Sequence, residues 1–453
     1  MPQGEYMYDY KIYSRIRKYS GAKKSFHIPG HKNKGEFASM FKGAALDITE
    51  LSYSDNLFDA SGVIASAQND IAEILGAAKS YITTDGSSSG VYAMLYCAAR
   101  RGNKIIVMRN SHKSVWNACK LFGLEPLIVQ GAYTDGILTP PDCEIIEKLI
   151  ANDNNIAGFL VTSPDYYGNI APLDKYAEIT KKYSRLLLVD EAHGAQLAFG
   201  DRKGYAGTYA DMWVDGAHKT LPTLTQGAII NINNEELIAD AEEALNLFRT
   251  TSPSYPVMAS VEYGVKYCVN NSKALSRAQA AVEQFVNENK NIIPVRKTDD
   301  WTKLLIDFAP LGISPDIAAA RLEKKGVFAE FSDGRFILFY LSPMTDLADL
   351  NNLKKKLLAV ISNKKIKNTF TDKPAIPEAD RSYSFQYALR KPCEYIELED
   401  AEGRMCAKPA GLNPPCIPVV ITGEIISAAA IKSLTTAKAT FGLTDGKICV
   451  VRK

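Results

Sequence analysis

Leu186-Leu187-Leu188-Val189-Asp190-Glu191-Ala192-His193 carries four apolar residues without a break into two acids and a histidine. An unbroken apolar run, unlike an alternating one, suggests a strand covered on both faces. The same pattern recurs outward from it, in Lys104-Ile105-Ile106-Val107-Met108, Pro126-Leu127-Ile128-Val129, Ala157-Gly158-Phe159-Leu160-Val161 and Gly227-Ala228-Ile229-Ile230. Helical spacing lies between these runs: Ile64, Ala67, Ile71 and Ile74 recur at three and four residues, and Leu173 through Tyr183 places Tyr176, Ile179 and Tyr183 likewise. Strands alternating with helices predict βαβ units, hence an α/β fold with a mainly parallel sheet and right-handed crossovers. Ligands of such sheets bind at the carboxyl ends of the strands. Asp190 through His193 stand at one of those ends.

The chain has 453 residues, which at roughly 150 per domain predicts two or three domains. Hydrophobic residues at 46% and charged residues at 23% exclude disorder, collagen-like repeats and a small disulfide scaffold. A chain this long buries roughly 70–75% of its unfolded surface, so its core needs no metal or disulfide. Fifty-three Lys plus Arg against fifty-one Asp plus Glu leave +2, a balance that argues against a nucleic-acid partner. No run of about 18 apolar residues predicts a membrane span. The opening ten residues lack the apolar core of a signal peptide. The eight cysteines, at 97, 119, 143, 268, 393, 406, 416 and 449, include no Cys-x-x-Cys pair. They read as reduced thiols of a cytoplasmic protein, with no metal site.

A second α/β unit is expected at about 295–365: strand Leu304–Phe308, helix Pro315–Lys325, a hairpin of Val327–Phe331 and Phe336–Leu341 through Ser332-Asp333-Gly334, and helix Asp346–Ile361. Residues 363–380 read as a connection to a third, C-terminal segment.

Only five histidines occur, at 27, 31, 112, 193 and 218, and the last three fall at strand ends or in adjoining loops. A lone histidine is more often a satisfied core or surface residue; three at equivalent ends of one sheet point to a shared site. Asp190 has two readings, a ligand-facing carboxylate or a helix cap. Lys219, in Asp215-Gly216-Ala217-His218-Lys219-Thr220, is either solvated or chemical. Thr84-Asp85-Gly86-Ser87-Ser88-Ser89-Gly90 opens a helix whose free N–H groups and hydroxyls suit a phosphate, and a plain capping loop is the alternative. Asn110-Ser111-His112-Lys113-Ser114 follows the strand Lys104–Met108. A lysine that forms a Schiff base with pyridoxal phosphate needs an acid partner for the pyridine nitrogen, and Asp190 precedes Lys219 by 29 residues.

Taken together, these motifs resemble the fold-type-I pyridoxal-phosphate enzymes and, more narrowly, the bacterial-type ornithine/lysine/arginine decarboxylase family. The resemblance runs through Phe26-His27-Ile28-Pro29-Gly30-His31-Lys32, Asp47-Ile48-Thr49-Glu50-Leu51, Asp85-Gly86-Ser87-Ser88-Ser89 and Ser111-His112-Lys113-Ser114. It continues through Ser163-Pro164-Asp165-Tyr166-Tyr167-Gly168, Val189-Asp190-Glu191-Ala192-His193-Gly194-Ala195, Ala217-His218-Lys219-Thr220-Leu221-Pro222-Thr223-Leu224-Thr225-Gln226 and Thr251-Ser252-Pro253-Ser254-Tyr255. It implies an aspartate-aminotransferase-type major domain over 46–290, after an N-terminal segment 1–45. A small α/β domain over 291–365 and a C-terminal segment over 366–453 follow.

The roles that the resemblance implies are these. Lys219 carries the cofactor and reprotonates the α-carbon, Asp190 keeps the pyridine nitrogen protonated, and His112 stacks on the ring. His193 orients the cofactor or the scissile carboxylate. Ser87, Ser88, Ser89 and His218 bind the phosphate, and Ser252 reaches a phosphate in the neighbouring subunit of a homodimer with interface active sites. Only about 25 residues precede the Phe26–Lys32 motif, so the chain resembles the short form of the family. The reaction implied is release of CO₂ from a basic amino acid, giving a polyamine precursor, with arginine favoured and lysine or ornithine open.

Two places depart from the pattern or leave it open. The family's Pro-Tyr-Pro-Pro-Gly-Ile-Pro run reads Leu412-Asn413-Pro414-Pro415-Cys416-Ile417-Pro418 here, before Gly423-Glu424. Glu330 matches an acidic position near the family's substrate entrance and reads either as a receiver for the distal cation or as a solvated hairpin carboxylate. An aminotransferase or lyase is a second reading, for which Arg335 is the candidate α-carboxylate partner. A third is a non-catalytic cofactor-binding homologue.

Overall fold

The computed structural model describes residues 7–20, 25–363, 366, 369–371, 373–379, 382–413 and 416–453. Pro414 and Pro415 of the altered run, and parts of the 363–380 connection, lie outside the described residues. The chain divides into two compact units, Met1–Cys97 with Leu187–Gln279 and Ser342–Met344, and Ala98–Leu186 with Ala280–Leu341 and Thr345–Lys453. The principal strands are β1 (Lys79–Thr83), β2 (Lys104–Met108), β3 (Glu125–Val129), β4 (Ile156–Thr162), β5 (Leu186–Glu191), β6 (Met212–Asp215) and β7 (Ala228–Ile232).

In the first unit the strand order is β1-β7-β6-β5. β5 and β6 are parallel, pairing Asp190 with Val214 and Glu191 with Asp215. β6 with β7 and β7 with β1 are antiparallel. β5, β6 and β7 are buried along their whole length, as unbroken apolar runs require. β1 was not legible as a strand, because Lys79 and Ser80 interrupt the apolar pattern. It is nonetheless buried from Ser80 onward, since the Ser80 hydroxyl donates to Asn231 Oδ1 at 2.6 Å and so carries no unpaired polar group inside. The helix Ser87–Ala99 starts just after Gly86, which adopts φ +74°. Gly90 lets that helix lie close to the sheet, because a Cβ there would come within 2.5 Å of Val214 and 2.9 Å of Ile230. The N-terminal helix Lys11–Ser20 buries Ile12 and Ile16 completely.

In the second unit β4, β2 and β3 form a parallel set in that order. A further sheet joins β8 (Lys303–Asp307), β9 (Phe331–Ser332) and β10 (Phe336–Tyr340). It packs with the helices Pro315–Glu323 and Leu347–Ile361 around Leu304, Ile306, Phe308, Leu350 and Leu357. The expected hairpin is shorter than predicted, only Phe331 and Ser332 pairing with β10. Gly326 turns at φ +72° and the Val327 N–H donates back to Leu322 O, so the chain is still closing its helix where a strand was expected. The C-terminal part pairs Cys393–Glu397 with Lys447–Val451 and Ala410–Leu412 with Ile417–Val420. The fold is thus α/β, with parallel pairing among β4, β2 and β3 and between β5 and β6, and a C-terminal domain. No helix among the described residues is long and apolar enough to cross a membrane.

Candidate active site

β5 ends in the acids that the sequence placed just beyond it: Asp190 and Glu191 are its last two residues. Asp190 is 3% exposed, and its Oδ1 accepts from the Ala192 N–H at 3.2 Å. Asp190 thus caps the turn that follows β5 rather than a helix, and its carboxylate is buried at the strand end. The chain then bends through Gly194 into a short 3₁₀ turn, Ala195–Ala198, and leaves His193 buried.

β6 ends at Asp215 and feeds a single helical turn, Ala217–Thr220, which carries His218 and Lys219. The Lys219 Nζ lies 3.0 Å from His193 Nε2. An amine and an imidazole at that distance can exchange a proton directly. His218 sets its Nδ1 2.9 Å from the Gly227 carbonyl oxygen. That oxygen only accepts, so Nδ1 carries the hydrogen. Burial lowers the His218 pKa, the Gly227 hydrogen bond opposes the shift, and the Lys219 charge adds to it.

The Thr84–Gly90 loop lies in the same unit. Ser87 and Ser88 are half-buried, whereas the Ser89 hydroxyl is taken up locally, 2.9 Å from Thr83 Oγ1 and donating to Gly86 O at 2.9 Å. Thr84 Oγ1 is buried with no partner among the described residues. Ser252 is exposed, and its loop meets the serine loop where the Thr250 N–H reaches Asp85 Oδ2 at 3.5 Å.

Three candidates belong to the second unit. His112 caps the helix Lys113–Phe122, its Nδ1 2.8 Å from Ser114 Oγ and accepting from the Ser114 N–H. Glu330 is exposed, and its charge is felt by the buried Lys303 ammonium and the Tyr340 hydroxyl. Arg335 is held by Asp307, with Nη2 to Oδ2 at 2.9 Å, and lies 3.6 Å from Asp135. This is a structural engagement for the residue considered as an α-carboxylate partner. Cys416, where the family run has glycine, adopts φ +63°, and the Lys113 charge reaches its thiol.

Sequence reading missed two arrangements. Arg109, directly after β2, makes a two-pronged ion pair with Glu424, at 2.5 and 3.2 Å, and both side chains are nearly inaccessible. A charged residue at the end of an apolar strand was the available signal. Glu191 and Asp215 are the second; neither their burial nor their pairing is encoded in any one motif. Among the described residues no group of three or more His, Cys, Asp or Glu could hold a metal ion.

Comparison with known proteins gives a consistent result. A family described as Orn/Lys/Arg decarboxylase, major domain, matches residues 11–307, and its C-terminal domain matches residues 363–441. An arginine decarboxylase of Bacillus anthracis is 29% identical over 432 residues, covering 89% of this chain and 87% of that protein. Lysine decarboxylase A from Pseudomonas aeruginosa has the same fold, with a TM-score of 0.82 at 16% identity, covering 98% of this chain and 80% of that one. A serine palmitoyltransferase from Sphingomonas wittichii is a more distant likeness, with a TM-score of 0.56 at 14% identity over 78% and 84% of the two chains.

Proposed function

This chain belongs to the Orn/Lys/Arg decarboxylase family, and on that premise we propose that it releases CO₂ from arginine with pyridoxal phosphate as its cofactor. It is an amino-acid decarboxylase acting on a basic amino acid. Arginine is favoured over lysine and ornithine by the Bacillus anthracis relative. The family implies the cofactor, and the residues at hand fit it. They offer a primary amine beside an imidazole, a carboxylate buried at a strand end, and a helix N-terminus next to an unsatisfied hydroxyl, Thr84 Oγ1. When bound, pyridoxal phosphate supplies an electron sink for the pair left by the departing carboxylate.

The protein's own contribution is positioning and proton control. The observation that carries the reading is the 3.0 Å separation of Lys219 Nζ from His193 Nε2, in the same unit as buried Asp190 and the half-buried Ser87 and Ser88. Lys219 holds the cofactor and returns a proton to the substrate α-carbon, while His193 exchanges that proton with the amine. Asp190 keeps a proton on the ring nitrogen, a role that suits a carboxylate buried from water, whose charge needs a partner. Ser87, Ser88 and Ser89 with His218 bind the phosphate. Since the His218 Nδ1 hydrogen is already given to Gly227, Nε2 can donate to an anion only when the ring is protonated. His112 stacks on the ring, Ser252 reaches the phosphate of a second copy in a cytoplasmic homodimer, and Glu330 receives the distal cation.

The test is CO₂ release from arginine, lysine and ornithine in parallel. Turnover of arginine at least tenfold above the other two is expected. Turnover of none of the three would overturn the reading, and preference for lysine or ornithine would overturn the choice of arginine.

A further inference from the structure

β5 and β6 end side by side, and their register sets Glu191 directly opposite Asp215. The two carboxyl groups share a face of the sheet and are 0% and 1% exposed. Side by side and buried, two ionised carboxylates cannot hydrogen-bond each other, since each only accepts. Two like charges adjacent in a buried site repel strongly, because little water screens them. A proton between them removes the repulsion and joins them by a charge-assisted bond.

The surroundings supply donors on the outer sides of the pair. Glu191 Oε1 accepts from the Ala206 N–H at 2.8 Å, and Asp215 Oδ2 accepts from Asn231 Nδ2 at 2.8 Å. The orientation of Asn231 is fixed in turn, because its Oδ1 accepts from the Ser80 hydroxyl at 2.6 Å. Asp215 Oδ1 receives no donor of good geometry from the described residues. One polar ladder therefore crosses the sheet in its own strand order: Ser80 on β1, Asn231 on β7, Asp215 on β6 and Glu191 on β5.

We infer that Glu191 and Asp215 are positioning residues that share one proton, and that this link fixes the strand bearing Asp190 and His193 against the strand that leads into His218 and Lys219. Neither carboxyl group is needed for proton transfer in the reaction proposed above, so the inference stands apart from it. Burial pushes the Asp215 carboxyl up to about 7, opposed by the neighbouring Glu191 carboxyl and by the Asn231 hydrogen bond. Among the described residues, the titratable group that feels both carboxyls is Tyr205. The Tyr205 hydroxyl stays neutral, its pKa raised by burial and by both carboxyls, and the Arg202 charge acts on the same hydroxyl.

The sign of the pH effect follows. The folded protein holds a proton that the unfolded chain releases in the ordinary carboxylate range. The stability it confers is full in acid and lost as pH rises through about 7. Glu191→Gln supplies the same hydrogen bond from an amide and needs no proton.

Thermal unfolding of the full chain from pH 5.5 to 8.5 tests the inference, with infrared spectra at pH 6. In wild type the midpoint falls across this range, and the gap to Glu191→Gln shifts in favour of the variant. Asp215→Asn behaves like Glu191→Gln, and Glu191→Ala has a low midpoint at both limits. The protonated-carboxyl band of wild type weakens in both amide variants. Parallel curves for wild type and the amide variants, or identical infrared bands, would overturn the inference. Should one amide variant fail to fold, the other decides.

Discussion

Cys416 holds a backbone angle of φ +63°, a region that glycine enters freely and a residue with a Cβ enters at a cost. The resemblance to the family run put glycine at this position, and the chain keeps glycine's geometry while changing the side chain. Cys416→Gly should therefore relieve about 1–3 kcal/mol of strain, less about 0.5–1 kcal/mol for glycine's greater chain entropy, read as a higher denaturation midpoint. An unchanged or lower midpoint would mean that the Sγ contact with Asn413 Oδ1, at 3.1 Å, outweighs the strain. At this scale the candidates legible in the sequence were residue types that have few structural uses at a strand end. His193, Lys219 and Asp190 were singled out, and the first two sit within hydrogen-bond reach. Glu191 stood in the same cluster without a role of its own, because its cross-strand partner Asp215 belongs to a different motif.

Among elements, the short approach between the helix Ser87–Ala99 and its sheet depends on Gly90. In Gly90→Ala the added methyl group meets the Val214 and Ile230 side chains, an overpacking that costs about 1–3 kcal/mol. The helix and its N-terminal serines would be pushed off the sheet. Inorganic phosphate or pyridoxal phosphate should then bind several-fold more weakly, with a lowered midpoint, by titration calorimetry. Unchanged affinity together with unchanged stability would show that the helix has slack. The continuous apolar runs marked β2, β4, β5 and β7 correctly because burial on both faces leaves a compositional trace, whereas β3 is a strand that is only partly buried. β1 and the truncated β9 were hidden for opposite reasons. A serine satisfied by Asn231 breaks the pattern without breaking the strand, whereas apolar Val327 to Ala329 continue a pattern after the helix has only just closed.

For the whole molecule, what the sequence revealed is the class of fold and the family, because both are written in ordered motifs. Pairings between distant residues left no such trace. Arg109 and Glu424 lie 315 positions apart, and removing one partner of so buried a pair leaves an uncompensated charge, yet neither residue announces the other. The same holds for the ladder from Ser80 to Glu191, whose members come from four strands. Function depends on the one covalent claim that all these elements support, that the Lys219 amine captures the cofactor aldehyde. The direct measurement is borohydride reduction of the pyridoxal-phosphate-loaded protein followed by peptide mass mapping. The account predicts a single reduced adduct on the peptide containing Lys219, lost in Lys219→Ala; an adduct on another lysine, or none at all, would contradict it.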